Sequence, residues 1–274
     1  MNYARISLLI VCLGFFTVGC GTRAGLPGQT PGAAPADTSS SVGTAIRNIQ
    51  ALSGNWRSWG QVAPSYSDCS APCSQSSWEQ IFGVSDPSLS GSATMFDLDP
   101  KMPYADALFS AAIIGQGAPQ LLDANHTLLP TLHNFTYDTD FYVVAPEVTQ
   151  ALEFDISMAI NTVDLTWGHE CNYLGDGQWD IWDNVHGQWM PTGFPCTLQA
   201  GWNHLTLQVQ READNTLLYQ SITLNGMTYA VNQTSAPGVS PAGWWGVAAN
   251  YQMDSNYQGA PNTTYLDNMT VTYW

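Results

Sequence analysis

Residues 151–158 alternate strictly: Leu152, Phe154, Ile156 and Met158 fall at every second place, with Glu153, Asp155 and Ser157 between them. A period of two belongs to a strand with one greasy and one wet face, because successive side chains point to opposite sides of a sheet. Residues 204–210 repeat the pattern, with Leu205, Leu207 and Val209 opposed to Thr206, Gln208 and Gln210. A turn at 213–216 comes next, then a returning strand at 217–224. Asn225-Gly226 is a strong hairpin signal leading into 227–231. Further strands are expected at 141–144, 246–251 and 265–273. Only 44–52 and 104–114 read as helix, and the second reads equally well as strand. Many strands with Gly- and Pro-rich turns predict an all-β chain, an antiparallel β-sandwich or jelly roll.

The N-terminal residues read differently. Residues 6–19 carry no charge, follow Arg5 and end at Gly19-Cys20, after which comes a tract rich in Gly, Pro, Ala and Ser. That apolar run is shorter than the roughly 20 residues a membrane span needs. It resembles a bacterial lipoprotein signal, which implies cleavage before Cys20, acylation of Cys20, export, and a membrane partner reached through lipid. Residues 1–19 are then the signal and 20–45 a flexible linker with too little apolar surface to fold. Residues 46–274 remain for one large β-domain. The expected location is the cell envelope, periplasmic or at the outer surface.

Four cysteines remain beyond Cys20: Cys69, Cys73, Cys171 and Cys196. An even number in an oxidising compartment predicts two disulfides, and sequence permits three connectivities. Loop closure favours Cys69–Cys73 and Cys171–Cys196. A zinc site fits poorly, because Cys-x3-Cys lacks the usual spacing and no nearby His completes it. The formal net charge of -16 disfavours nucleic acid and other polyanions as partners. Only 10% of residues are charged, while 11 Trp and 12 Tyr accompany abundant amides and hydroxyls. That balance suits a neutral glycan.

The segment from Trp202 through the alternating strand, the turn and the strand ending at Asn225-Gly226 resembles the concanavalin A-like lectin/glucanase superfamily, including laminin-G-like jelly rolls. The closing stretch 265–274 is similar to the terminal strand of many such domains. The resemblance implies a concanavalin A-like jelly roll and a superfamily that mostly handles sugars. It also implies a catalytic comparison: retaining β-glucanases of this group carry Glu-x-Asp-x-(x)-Glu on one strand. Glu153 and Asp155 match the first two places, but 157, 158 and 159 are Ser, Met and Ala. Retaining hydrolysis needs a second carboxyl about 5–5.5 Å from the nucleophile, so the proton donor is missing locally. Asp180 or Asp183 could replace it only from a distance.

Binding is the leading expectation. Indole faces stack on sugar C–H faces while carboxylates, amides and imidazoles meet the hydroxyls. The candidate binding residues are Trp167, His169, Trp182, Glu153 and Asp155. If 179–184 is a strand, Trp179 and Trp182 face opposite ways. The alternatives are a glycoside hydrolase using Glu153 and Asp155, or an envelope structural or adhesion protein without sugar specificity. A polysaccharide lyase is disfavoured by the shortage of cations that would neutralise a uronate. No cofactor is called for. A structural calcium ion is left open at Asp176, Asp180 and Asp183, or at Asp267-Asn268, though neither spacing matches a known calcium loop.

Overall fold

The computed structural model describes residues 43–62 and 76–274. The expected signal peptide, Cys20, nearly all of the expected linker, and Cys69 and Cys73 lie outside these residues. The described residues form two antiparallel sheets packed face to face, as the resemblance implies. One sheet runs β13 (Met227–Ser235), β12 (Leu217–Leu224), β11 (Gly201–Arg211), β6 (Asn134–Val143), β15 (Asn262–Tyr273), β4 (Ala93–Asp99) and β3 (Ser77–Val84), and β1 (Thr44–Ile46) pairs with β15. The other runs β10 (Gln188–Pro195), β9 (Gln178–Asp183), β8 (His169–Asn172), β7 (Thr149–Trp167), β14 (Gly238–Ser255), β5 (Ala105–Gly115) and β2 (Trp56–Val62).

Alternation sets the layers. Leu152, Phe154, Ile156 and Met158 of β7 point between the sheets and are at most 2% exposed. Leu205, Leu207 and Val209 of β11 do the same from the opposite side. Phe154 joins the layers: its ring centroid lies 5.0 Å from that of Phe141 on β6 and 5.3 Å from that of Tyr251 on β14. Phe96 of β4 extends the aromatic cluster, 4.7 Å from Phe109 and 5.1 Å from Tyr251. Such ring pairs add to the burial that drives folding. Asn225 and Gly226 both take positive φ, 51° and 80°, as a tight two-residue hairpin requires.

Both helix readings give way to strand. Thr44–Ile46 pairs with Val271 to Tyr273 of β15, and Asn48 at φ 53° limits the next residues to a short 3-10 turn, Ile49–Ala51. The sheet therefore begins at Thr44, inside the 20–45 stretch expected to be linker. The alanine-rich stretch 105–115 becomes β5 because it lies between β14 and β2, paired on both edges. There the ladder and burial override alanine's helix preference.

Candidate functional site

The longest strands, β7 and β14, are neighbours at the centre of their sheet, and their register decides what shares its outer face. Gln252 stands opposite Glu153 and Asn250 opposite Asp155. On the other side of β7, Glu153 stands opposite Glu170 of β8, and Glu170 opposite Asp180 of β9. Asp180, Glu170, Glu153 and Gln252 thus form one row across four strands. Asp254, two residues beyond Gln252, adds a further carboxyl. Oxygens of Glu153, Glu170 and Asp254 all lie within 4.8 Å of one another.

These side chains crowd so closely that an outward face becomes dry. Glu153 is 7% exposed, Glu170 8% and Asp180 4%. None of them, nor Asp254, forms an ion pair with a basic side chain of the described residues. Gln252 Nε2 donates to both Glu153 and Asp254, and Asn172 Nδ2 donates to Asp180 Oδ2 at 3.3 Å. Burial, then the charge of Asp254, pushes the Glu153 and Glu170 carboxyls well above the ordinary range. Burial raises Asp254 to about 7, against the hydrogen bonds from Gln252 and Glu153. Asp180 rises to about 6, first through burial and then through Asp176. Desolvation and like-charge repulsion both disfavour ionisation in such a place.

Asp155 occupies the next row. Its Oδ1 accepts the backbone N–H of His169 at 3.2 Å, and burial raises its carboxyl to about 7. Beside it, Trp182 stands opposite Trp189 of β10, ring centroids 5.0 Å apart and inclined at 65°. Both indoles are half-buried. Gly168 makes their position tolerable: a Cβ there would lie 2.8 Å from Trp182 Cβ and 3.1 Å from the Trp189 ring. The Trp182 backbone is held from below, where Tyr219 of the opposite sheet donates its hydroxyl to the Trp182 carbonyl at 2.9 Å.

The structure therefore gathers Glu153, Asp155 and Trp182 on one face. It places the other two expected binding residues elsewhere. Trp167 is fully buried between the sheets, its ring 5.7 Å from Phe135. His169 is 1% exposed and packs edge-on against Tyr219, and burial lowers its imidazole to about 4. Both follow the parity of Cys171, which faces inward and is bonded to Cys196 with Cα atoms 5.5 Å apart. Trp179 is in the core and Trp182 outside, as the alternation requires.

The two calcium settings read from sequence do not assemble. Asp183 turns to His186 Nδ1 at 2.6 Å, and exposed Asp176 accepts from Gln178 and reaches Asp180 only through its charge, so the three do not converge on one point. Asp267 is saturated by donors: Ser88 and Ser90 hydroxyls, the N–H groups of Leu89, Ser90 and Asn268, and Gln50 Nε2. Although burial pushes its carboxyl up, the bonds from Ser90, Ser88 and Leu89 hold it below the ordinary range. A carboxylate wrapped in hydrogens has no lone pair to spare for a cation.

Glu170, Asp254, Asn250 and Trp189 were not singled out from the sequence. Alternation alone carried a signal for Asp254, since Tyr251 and Met253 mark the inward parity of β14. Nothing local reveals that Glu170 meets Glu153.

No family model matches the chain, and no curated protein matches it. Solved structures similar to it include peanut lectin, at 11% identity over 80% of this chain and 98% of that one, TM-score 0.37. A conserved carbohydrate esterase from Shiga toxin-encoding bacteriophage phi24B is 11% identical over 84% and 98%, TM-score 0.41. An alginate lyase of polysaccharide lyase family 7 is 14% identical over 71% and 82%, TM-score 0.35. Likeness at this level says nothing about this chain's own ligand.

Proposed function

We propose that the protein binds a neutral glycan on the outer face of the seven-stranded sheet, as an exported protein anchored to the cell envelope through Cys20. The observation that supports this reading is the half-buried Trp182–Trp189 pair on that outer face. Partly exposed indoles offer an apolar platform on which a pyranose can stack. Gly168 is the device that lets the platform lie against the sheet. Lipid attachment at Cys20 rests on the sequence alone, and palmitate labelling that is lost in Cys20→Ala tests it.

The hydrolase alternative has one observation in its favour, the raised carboxyl of Glu153 among other acids. Against it, Gln252 bridges Glu153 and Asp254, and the three clustered carboxyls leave no gap for a sugar ring between them. A panel of neutral polysaccharides separates the readings. Retention expected for the native chain falls at least tenfold in Trp182→Ala and in Trp189→Ala. An array without a single neutral glycan retained sinks the binding reading. Release of reducing sugar that disappears in Glu153→Gln, with retention intact, establishes hydrolysis instead.

A further inference from the structure

Arg211 breaks the pattern of its own strand. The inward places of β11 hold Leu205, Leu207 and Val209, and the next one holds Arg211. A guanidinium thus enters the end of the sandwich where alternation calls for an apolar side chain, and the residue is only 4% exposed. No carboxylate of the described residues forms an ion pair with it. Its partners carry no negative charge: Nη2 donates to the Pro130 carbonyl at 2.6 Å and lies 3.4 Å from His133 Nε2. His133 Nδ1 lies 2.9 Å from the Arg211 carbonyl, which can only accept. Nδ1 therefore carries the ring hydrogen, and Nε2 turns a lone pair to the guanidinium. Buried Nε has no hydrogen-bond acceptor among the described residues. A desolvated charge is costly unless it is paired, and these residues give Arg211 no acid.

The same side chain lines an open pocket of about 420 Å³, a size suited to a small molecule. Pro130, His133 and Arg211 form one side of it, and Ile160 and Val163 of β7 come from the opposite sheet. Ile160 and Val163 also pack against the core, which makes that wall apolar and firm.

We propose that this pocket binds a small organic acid, with its single carboxylate on Arg211 and its apolar body against Pro130, Ile160 and Val163.

Charge and shape narrow the ligand. One guanidinium facing an imidazole lone pair balances one negative charge, so a dianion such as sulfate would bring more charge than the pocket neutralises. A polyanion is opposed by the formal net charge of -16. The apolar wall favours an acid with a hydrocarbon or ring body over a bare ion. The cation is also held in advance: the Arg211 N–H donates to the His133 carbonyl at 2.7 Å, while Pro130 and His133 hold Nη2. A fixed donor loses less freedom when a ligand arrives. The lining includes neither Trp182 nor Trp189 nor any member of the acidic row, so the pocket stands apart from the glycan reading.

The test is calorimetric titration of the full chain with benzoate, hexanoate and glucuronate, each beside its uncharged amide, in the absence of other carbohydrate. Thermal unfolding with and without each acid accompanies it. At least one acid should bind with a Kd of about 1 mM or tighter and raise Tm, and its amide should bind at least tenfold more weakly. Arg211→Gln should weaken that acid at least tenfold. Ala213→Trp, which puts an indole into the lining and leaves the guanidinium in place, should do the same. His204→Gln, on the outward face of the same strand, should leave binding unchanged. Far-ultraviolet circular dichroism checks each fold, and where Arg211→Gln does not fold, Ala213→Trp decides. Absence of heat and of any Tm shift with all three acids at about 10 mM overturns the site. So does equal affinity for acid and amide, undiminished binding in the folded variants, or tighter binding of sulfate than of any of the acids.

Discussion

Replacing Cys171 and Cys196 together with Ala tests how the acidic row is held. The disulfide spans 25 residues and closes a loop that contains β9 and β10, with Glu170 immediately before one of its ends. Loop-closure entropy of a 25-residue crosslink corresponds to about 3.5 kcal/mol at 25 °C. Both sulfurs are buried, at 0% and 3% exposure, so truncation to Ala removes apolar contact worth about 1–2 kcal/mol more. The double variant should therefore lose about 4.5–5.5 kcal/mol in guanidinium unfolding. Because β10 is an edge strand of its sheet and β9 lies next to it, limited proteolysis should cut first between residues 172 and 195. A loss below about 1 kcal/mol refutes the reasoning. It would mean that the β8–β9–β10 ladder fixes the loop unaided, and that Glu170 and Asp180 owe their positions to hydrogen bonds alone.

Two further outcomes are expected. His204 on β11 lies 2.8 Å from Asp140 and 3.3 Å from Asp138 of β6, and the bond with Asp138, opposed by burial, then that with Asp140, raise its pKa to about 9. A raised imidazole stabilises fully below its unfolded value near 6.5, and that stabilisation disappears as pH rises through 9. With nearly half of the side chain exposed, solvent reduces the effect to about 1 kcal/mol. His204→Gln should cost that much at pH 6 and nothing near pH 10 in urea unfolding; an equal cost at both pH values contradicts the ion-pair account. Asp267→Asn should cost about 3 kcal/mol, because it replaces a carboxylate gathering six donors from Gln50, Ser88, Leu89, Ser90 and Asn268. A change in Tm smaller than about 2 °C would show that the loop at 88–90 is secured by other contacts.

The sandwich was legible wherever a strand is wet on one side. Strands β7, β11 and β12 announce themselves because their alternation survives in the sequence, and Asn225-Gly226 announces the hairpin because its backbone needs two positive φ angles. Strand β5 was ambiguous for a physical reason. It is a run of small apolar residues covered on both faces, so the period that separates strand from helix is absent. Strand β8 is four residues long and includes the fully buried Cys171 beside buried Glu170, and nothing in so short a stretch states which face is which.

The site was legible only in its local half. Glu153 and Asp155 could be placed on one strand face by counting, and Trp179 and Trp182 on opposite faces by the same count. Trp167 and His169 were misplaced because aromatic and polar character suggested contact with a ligand, while parity with Cys171 assigns both to the interior. The missing third carboxyl shows the limit most clearly. Strand β7 supplies no third acid to this face, since Ser157 follows Glu153 and Asp155 at the next outward place. The convergence has to come from neighbouring strands, one of them Asp254, which lies 101 positions after Glu153 in the chain. Sheet register, which no local pattern encodes, therefore creates the chemistry of this face. A one-residue slip of β14 against β7 would carry Asn250, Gln252 and Asp254 into the core and dissolve the row.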